Sequence, residues 1–505
     1  MPSRSPVTPR IAIVGSGFAG IGMAIRLRQM GLESFTIYEA AGEIGGTWRD
    51  NTYPGAACDV PSHLYSFSFE PNPGWTRAFG AQAEILTYLK HCVRKYGLAP
   101  FVRCHARVAA ARFDEAGQVW RLDIESGGSV ATSSDVGSSG TRETIEADLV
   151  IAANGPLSRP AMPQIEGLER FAGKLFHSAR WDHDYPLEGK RVAVIGTGAS
   201  AIQFVPQIQP RVAQLALFQR TAPWIMPRPD KPVSERAQWW FRHVPLTQRL
   251  VRSAIYWRLE SRAIGFIVNP KLMKFPIKFG LSYLERRVKD PVLRAKLTPN
   301  YQLGCKRVLM SSDYFPALSQ PNVNVVTDAI REIVADGIVA EDGIHHAADA
   351  IICGTGFQVN DIGAPFDVTG MGGADLGARW LRDGPEAYLG TSIADFPNFF
   401  MMAGPNTGLG HNSMIYMIES QVQYIADCLR ELRRRGARTM NLRPDVQQVF
   451  NARLQEDMRR SVWASGCHSW YQTKSGKVTA IWPGFTFSFR KRTRRVRAHE
   501  YRFSR

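Results

Sequence analysis

The chain has 505 residues, 44% hydrophobic and 10% aromatic, with a formal net charge of +17. That length exceeds a single hydrophobic core and predicts two or three domains, and the aromatic content excludes a disordered chain. The basic balance does not by itself make a nucleic-acid binder, because no recognition motif accompanies it; solubility, a basic tail and anionic cofactors account for it.

The N-terminus lacks the apolar run of a signal peptide, and the first apolar run, Ile11 to Val14, leads straight into a glycine loop. Gly15, Gly17 and Gly20, with Phe18 and Ala19 between them, have GxGxxG spacing and are followed by a helical stretch to about Gly31. The first glycine permits a tight turn, the second a close approach to a pyrophosphate and the third close helix–strand packing. The next strand, Phe35 to Glu39, ends in an acid able to accept hydrogen bonds from ribose hydroxyls. Alternating runs such as Val119 to Ile124 predict antiparallel strands, the Ser/Gly-rich stretch from Ser126 to Thr141 a flexible loop, and Leu149 to Gly155 a strand returning to the first sheet.

A second strand–glycine–helix unit opens at Val192, with Gly196, Thr197, Gly198, Ser200 and, in the third glycine position, Ala201. Its second strand ends in Gln219-Arg220-Thr221, without an acid. An acid would repel a ribose 2′-phosphate and Arg220 can pair with it, so NADPH is expected over NADH. Two such loops on one chain imply a flavin that receives hydride from a nicotinamide. The stretch 232–300 has Trp, Arg, Leu and Lys at helical spacing and predicts a helical insertion. Its aromatic–basic pattern fits a lid or core helix pair, or a lipid surface.

The expected fold class is α/β, with two Rossmann-like dinucleotide-binding domains and a helical insertion. Residues 1–160 and 350–490 are assigned to the first domain, 161–231 and 301–349 to the second, 232–300 to the insertion, and 491–505 to a loose basic tail. Seven scattered cysteines show no CxxC pair or zinc spacing, which predicts a reduced, cytoplasmic chain without a metal site and argues against a disulfide reductase. No apolar stretch is long enough to predict a spanning helix.

Three motifs go further. Phe171, Gly173, His177, Trp181 and Asp182 form FxGxxxHxxxWD just before the second glycine loop. Gly45-Gly46-Thr47-Trp48, Asn51, Tyr53-Pro54-Gly55 and Asp59 form GGxWxxNxYPGxxxD. Cys305-Lys306-Arg307 precedes Asp313-Tyr314. Together these resemble type I Baeyer–Villiger monooxygenases, from Ile11 to about Gly484. The resemblance implies FAD and NADPH as cofactors, and insertion of one oxygen of O2 beside a ketone carbonyl through a C4a-peroxyflavin. It makes Arg307 the active-site arginine, with Asp59 orienting it. It places Gly46, Thr47, Trp48, Tyr53, Tyr65, Val108 and Asn406 among the cofactor contacts, Lys306 near the 2′-phosphate and Trp470 on a loop that meets NADP and substrate. The alternative in the same fold is a flavin monooxygenase oxidising amine nitrogen or sulfide sulfur, against which Trp181 and Arg307 argue. One departure is Ala152-Ala-Asn154-Gly155, where the family often has Ala-Thr-Gly.

Overall fold

The computed structural model describes residues 8–127, 140–359, 364–467 and 469–505. Most of the Ser/Gly-rich stretch expected as a loop lies outside the described residues.

Two parallel five-stranded sheets organise the chain. The first has the order Phe399–Met401, Leu149–Ala152, Ile11–Val14, Phe35–Tyr38, Val102–Arg103. Its central strands are buried along their whole length because both faces are covered. Ile11 and Ile13 point into one core with the helices Phe18–Gln29 and Met414–Arg435. Ala12 and Val14 point the other way, into a core shared with Trp120 and Leu122 of a four-stranded sheet that includes Ala106–Asp114, Val119–Ser126 and Thr141–Ala147. That alternation is the period-2 signature of a strand between two layers.

The second sheet has the order Val323–Val326, Gln214–Phe218, Arg191–Ile195, Ala350–Cys353, Lys174–His177. Val192 and Val194 face the helices Ala201–Ile208 and Tyr314–Leu318, while Ala193 and Ile195 face a meander bearing Ile333 and Ile338. The chain is thus α/β with two Rossmann-like units. The strand Ala350–Cys353, expected to open the segment returning to the first domain, belongs to the second sheet: it pairs in parallel with Arg191–Ile195 and Lys174–His177.

Between the strands of the second unit lie the helices Glu235–His243, Pro245–Glu260, Lys274–Arg287 and Pro291–Lys296. The C-terminal residues do not form the loose tail expected from their charge. The helix Thr486–Thr493 leads into the strand Tyr501–Ser504, which pairs antiparallel with Thr439–Leu442. Buried Tyr501 anchors it through hydrogen bonds between its hydroxyl and those of Tyr424 (2.6 Å) and Ser392 (2.9 Å).

Candidate active site

The first glycine loop is shaped by backbone sterics. Gly15 has φ of +102°, and a Cβ on Gly20 would lie 2.0 Å from the Gly15 carbonyl oxygen, so neither position tolerates a side chain. Gly17 has nothing nearer to its missing Cβ than the Cα of Gly46, 3.9 Å away, and Gly46 itself has φ of +53°. The helix that starts at Phe18 has no side-chain cap and no acid in its first turn, which leaves its N-terminal N–H groups for an anion. Phe18 and Ala19 are buried behind the loop, Phe18 against Tyr65 and Phe67. This cradle fits a dinucleotide pyrophosphate.

Glu39 stands directly after its strand with its carboxylate already hydrogen-bonded. One carboxylate oxygen accepts the Ser16 N–H (3.1 Å) and hydroxyl (2.6 Å), and the other accepts the Ala41 N–H (3.0 Å) and meets Arg49 at 2.9 Å. Four donors thus surround the carboxylate. Val108 is buried beside this end of the sheet, in one core with Val14 and Tyr38. Thr47 and Trp48 open a short helix after Gly46, and the Trp48 indole donates to the Tyr65 hydroxyl (3.1 Å).

The Tyr53–Gly55 turn joins the two units. The Tyr53 hydroxyl donates to Gln203 Oε1 (3.0 Å), which also accepts the Ala57 N–H (3.3 Å), while Gln203 Nε2 donates to the Ala57 carbonyl (2.9 Å). Gly55 has φ of +79° and sits where a Cβ would strike the Gln203 carbonyl at 2.8 Å. Gln203 lies on the second loop's helix, and sequence reading missed it because no motif marks it.

Asp59 and Arg307 meet as expected. Arg307 Nε and Nη2 donate to one oxygen of Asp59 at 2.8 and 2.6 Å, and Nη1 donates to the Leu409 carbonyl at 3.3 Å. The nearby Asp59 charge outweighs burial and holds the guanidinium pKa above its usual value. Three of five N–H groups are thus used among the described residues. The side chain is 31% exposed, with buried Tyr471 beside it.

Tyr471, beside the expected Trp470, was not singled out from sequence. It is buried next to Arg307; burial pushes its phenol up to about 12 against the opposing pull of the guanidinium. Trp470 is exposed and packs on Tyr471 with ring centroids 4.5 Å apart. Asn406 has φ of +55° and donates both side-chain N–H groups to the carbonyls of Val478 and Ile481 (2.9 and 3.0 Å), which clamps the loop after Tyr471. Any cofactor contact at this residue falls to its other atoms.

The second glycine loop repeats the sterics of the first. Gly196 has φ of +105°, with the Gly354 carbonyl oxygen 2.5 Å from its missing Cβ. Near Gly198 only that oxygen lies within reach, at 3.8 Å, and the helix from Ala201 has Ser200 as an N-cap without a side-chain bond and no acid in its first turn. The Thr197 hydroxyl donates to the Thr221 carbonyl (3.3 Å), tying the loop to the end of the next strand. Arg220 is exposed there. Burial lowers the pKa of Lys306 and the charge of Arg220 lowers it further, which places the two cations within electrostatic reach. Neither has a carboxylate partner among the described residues. Two such cations at the end of this strand fit a 2′-phosphate.

The fingerprint residues lie on the second unit, Phe171 and Trp181 in the cores on opposite faces of its sheet. A Cβ on Gly173 would lie 2.6 Å from the Asp349 carbonyl oxygen. Phe171 packs on the core of the second sheet, and Trp181 sits between Phe176 and Phe204 at 5.2 and 5.3 Å. Asp182 pairs with Lys174. His177 is buried at the end of its strand, where its Nδ1 accepts the Ala179 N–H (3.1 Å) and its other edge faces the Gly356 backbone. Burial drops its pKa to about 4, so the folded ring is neutral at pH 7. The unfolded ring binds its proton near pH 6.5, so stability is full above that value and is lost as pH falls toward 4. At pH 5 the loss from His177 is about 2 kcal/mol. The thermal midpoint of His177→Gln is expected to fall less between pH 7 and 5 than that of the unaltered protein.

Two further features escaped sequence reading. Buried Glu260, at the end of an inserted helix, accepts from the Thr486 hydroxyl (2.8 Å) and N–H (2.5 Å) and from Asn412 (2.5 Å), and lies 3.5 Å from His411. Burial pushes its carboxyl up, but these partners together hold it below its usual value. Glu260→Ala leaves them unsatisfied and is expected to cost about 2–4 kcal/mol, read by denaturant unfolding. The second is a correction: Cys305 and Cys467 form a disulfide, with Cα atoms 6.2 Å apart, in a chain expected to be fully reduced. It fastens the segment of Trp470 and Tyr471 to that of Lys306 and Arg307. His468 lies outside the described residues.

Known proteins resemble this chain over nearly its whole length. A family model described as flavin-binding monooxygenase-like matches residues 8–360. A Baeyer–Villiger monooxygenase of Pseudomonas aeruginosa is 49% identical over 97% of this chain and 91% of its own length. One from Streptomyces coelicolor is 48% identical over 97% and 92%. Among solved structures, OTEMO in complex with FAD and NADP superposes with a TM-score of 0.85 at 26% identity, covering 99% of this chain and 100% of that one.

Proposed function

Because the chain belongs to the flavin-binding monooxygenase-like family, and within it to the Baeyer–Villiger monooxygenases, we propose that it binds FAD and NADPH and uses O2 to insert one oxygen atom beside a ketone carbonyl, giving an ester or lactone. The observation that carries this reading is the Arg307 guanidinium, held by Asp59 and still 31% exposed.

When bound, the two cofactors supply hydride from the nicotinamide to the flavin and the activated oxygen that is transferred. The backbone N–H groups after Gly17 and Gly198 hold the two pyrophosphates, and Arg220 with Lys306 holds the 2′-phosphate. Asp59 fixes the orientation of Arg307 and balances its charge. The charge of the Arg307 guanidinium stabilises the negative charge that grows on the ketone oxygen as the new C–O bond forms, without reorganising at that moment. Tyr471 and the clamped segment behind it close one side of the site against water.

The test is FAD-loaded protein with NADPH in air. NADPH oxidation is expected to rise when a ketone is added, with ester appearing in step. Consumption indifferent to every cyclic, linear and aryl ketone tried, with hydrogen peroxide as the sole product, overturns the reading.

A further inference from the structure

The helical segment 235–287 has two unlike faces. On the helix Pro245–Glu260, Gln248 donates to the Asn72 carbonyl (2.7 Å) and Arg252 to the His63 carbonyl (2.7 Å), while Leu259 enters the core. These residues cover the first unit as a lid does. On the opposite side Leu246, Leu250 and Trp257, spaced four and seven residues apart, form one largely exposed stripe, with Phe487 6.2 Å from Trp257 between ring centroids. Leu250 is 62% and Trp257 58% exposed. Trp239 and Trp240 on the preceding helix and Phe275, 76% exposed, on the helix Lys274–Arg287 are bare as well. A monomer that stays in water rarely leaves so much large apolar side chain bare.

The charge around these residues is one-sided. Over residues 235–287 the sequence has eleven Lys or Arg against three carboxylates, Glu235, Glu260 and Glu285, of which Glu260 is buried and spent on Thr486 and Asn412. Arg249 flanks the stripe, and Lys274 and Lys278 flank Phe275. No helix among the described residues is long and apolar enough to cross a membrane.

We propose that this face docks on an anionic lipid surface, with the Trp, Leu and Phe side chains entering the headgroup–acyl boundary and the surrounding cations meeting lipid phosphates. Bare aromatics ringed by Lys and Arg match the two layers of such a surface. A second copy of the chain fits less well, because a two-fold contact sets the same cations against themselves.

The experiment is co-sedimentation of the FAD-loaded protein with vesicles of phosphatidylcholine, alone or with about one third phosphatidylglycerol. The protein is expected to partition at least about tenfold more onto the anionic vesicles, and to be released by high salt. The double variant Leu250→Ser, Trp257→Ser is expected to lose that binding while its NADPH oxidation with a water-soluble ketone stays unchanged. Protein that remains in the supernatant with anionic vesicles overturns the proposal. So does a dimer in sedimentation velocity that the same variant dissolves, which assigns the face to a second copy instead.

Discussion

Arg307→Ala is expected to lose ester formation by about a thousandfold or more while NADPH still reduces the bound flavin at close to the normal rate. Removing one preorganised donor from a developing oxyanion typically costs a hundred- to a thousandfold, and this variant removes a whole guanidinium with its full charge. It also leaves the Asp59 carboxylate without its counter-charge at the site, so a negative charge forms next to an unneutralised one. Hydride transfer depends on the two glycine loops and the 2′-phosphate site, none of which Arg307 builds. Stopped-flow reduction at the flavin absorbance, set against product yield, separates the two steps. Asp59→Asn tests the same pair from the other side: the guanidinium remains but loses the partner that outweighs its burial, and a smaller loss is expected. Full oxygenation by Arg307→Ala contradicts the role assigned here.

Arg220→Ala is expected to raise KM for NADPH by roughly 10–100-fold and leave KM for NADH nearly unaltered. A hydrogen bond to a charged group contributes about 1.5–3 kcal/mol, which converts to that range. The expectation is sharper than the residue type alone allows, because Lys306 lies within electrostatic reach and neither cation has a carboxylate partner among the described residues. Lys306→Ala acts in the same direction, and the double variant is expected to fall short of the product of the two effects, since both residues act on one phosphate. An unchanged ratio of NADPH to NADH efficiency in Arg220→Ala removes this contact from the account.

What could be read from the sequence follows from what is local. Gly15, Gly20 and Gly196 are glycines because neighbouring carbonyl oxygens occupy the space of a Cβ, and a spacing rule captures such a constraint. The strand that follows each loop and the missing acid beside Arg220 are equally local. Arg307 and Asp59 lie 248 residues apart and were paired only through family resemblance. Gln203, Glu260 and Tyr471 carry no motif at all: each is a polar group whose meaning is set by tertiary neighbours. Glu39 was rightly placed at a strand end, but the four donors around it come from Ser16, Ala41 and Arg49, and their convergence is invisible before folding. Cys305 and Cys467 are separated by 162 residues with no spacing code. The C-terminal strand was hidden by arginines that mask the alternation of Tyr501 and Phe503, one buried and one partly so.

The most direct measurement is mass spectrometry of the product from a cyclic ketone incubated with FAD-loaded protein, NADPH and oxygen-18 gas. A lactone carrying one atom of heavy oxygen in the ring is expected, formed one for one with NADPH consumed. Recovered ketone with no labelled lactone, while an amine or sulfide is oxidised under the same conditions, contradicts it.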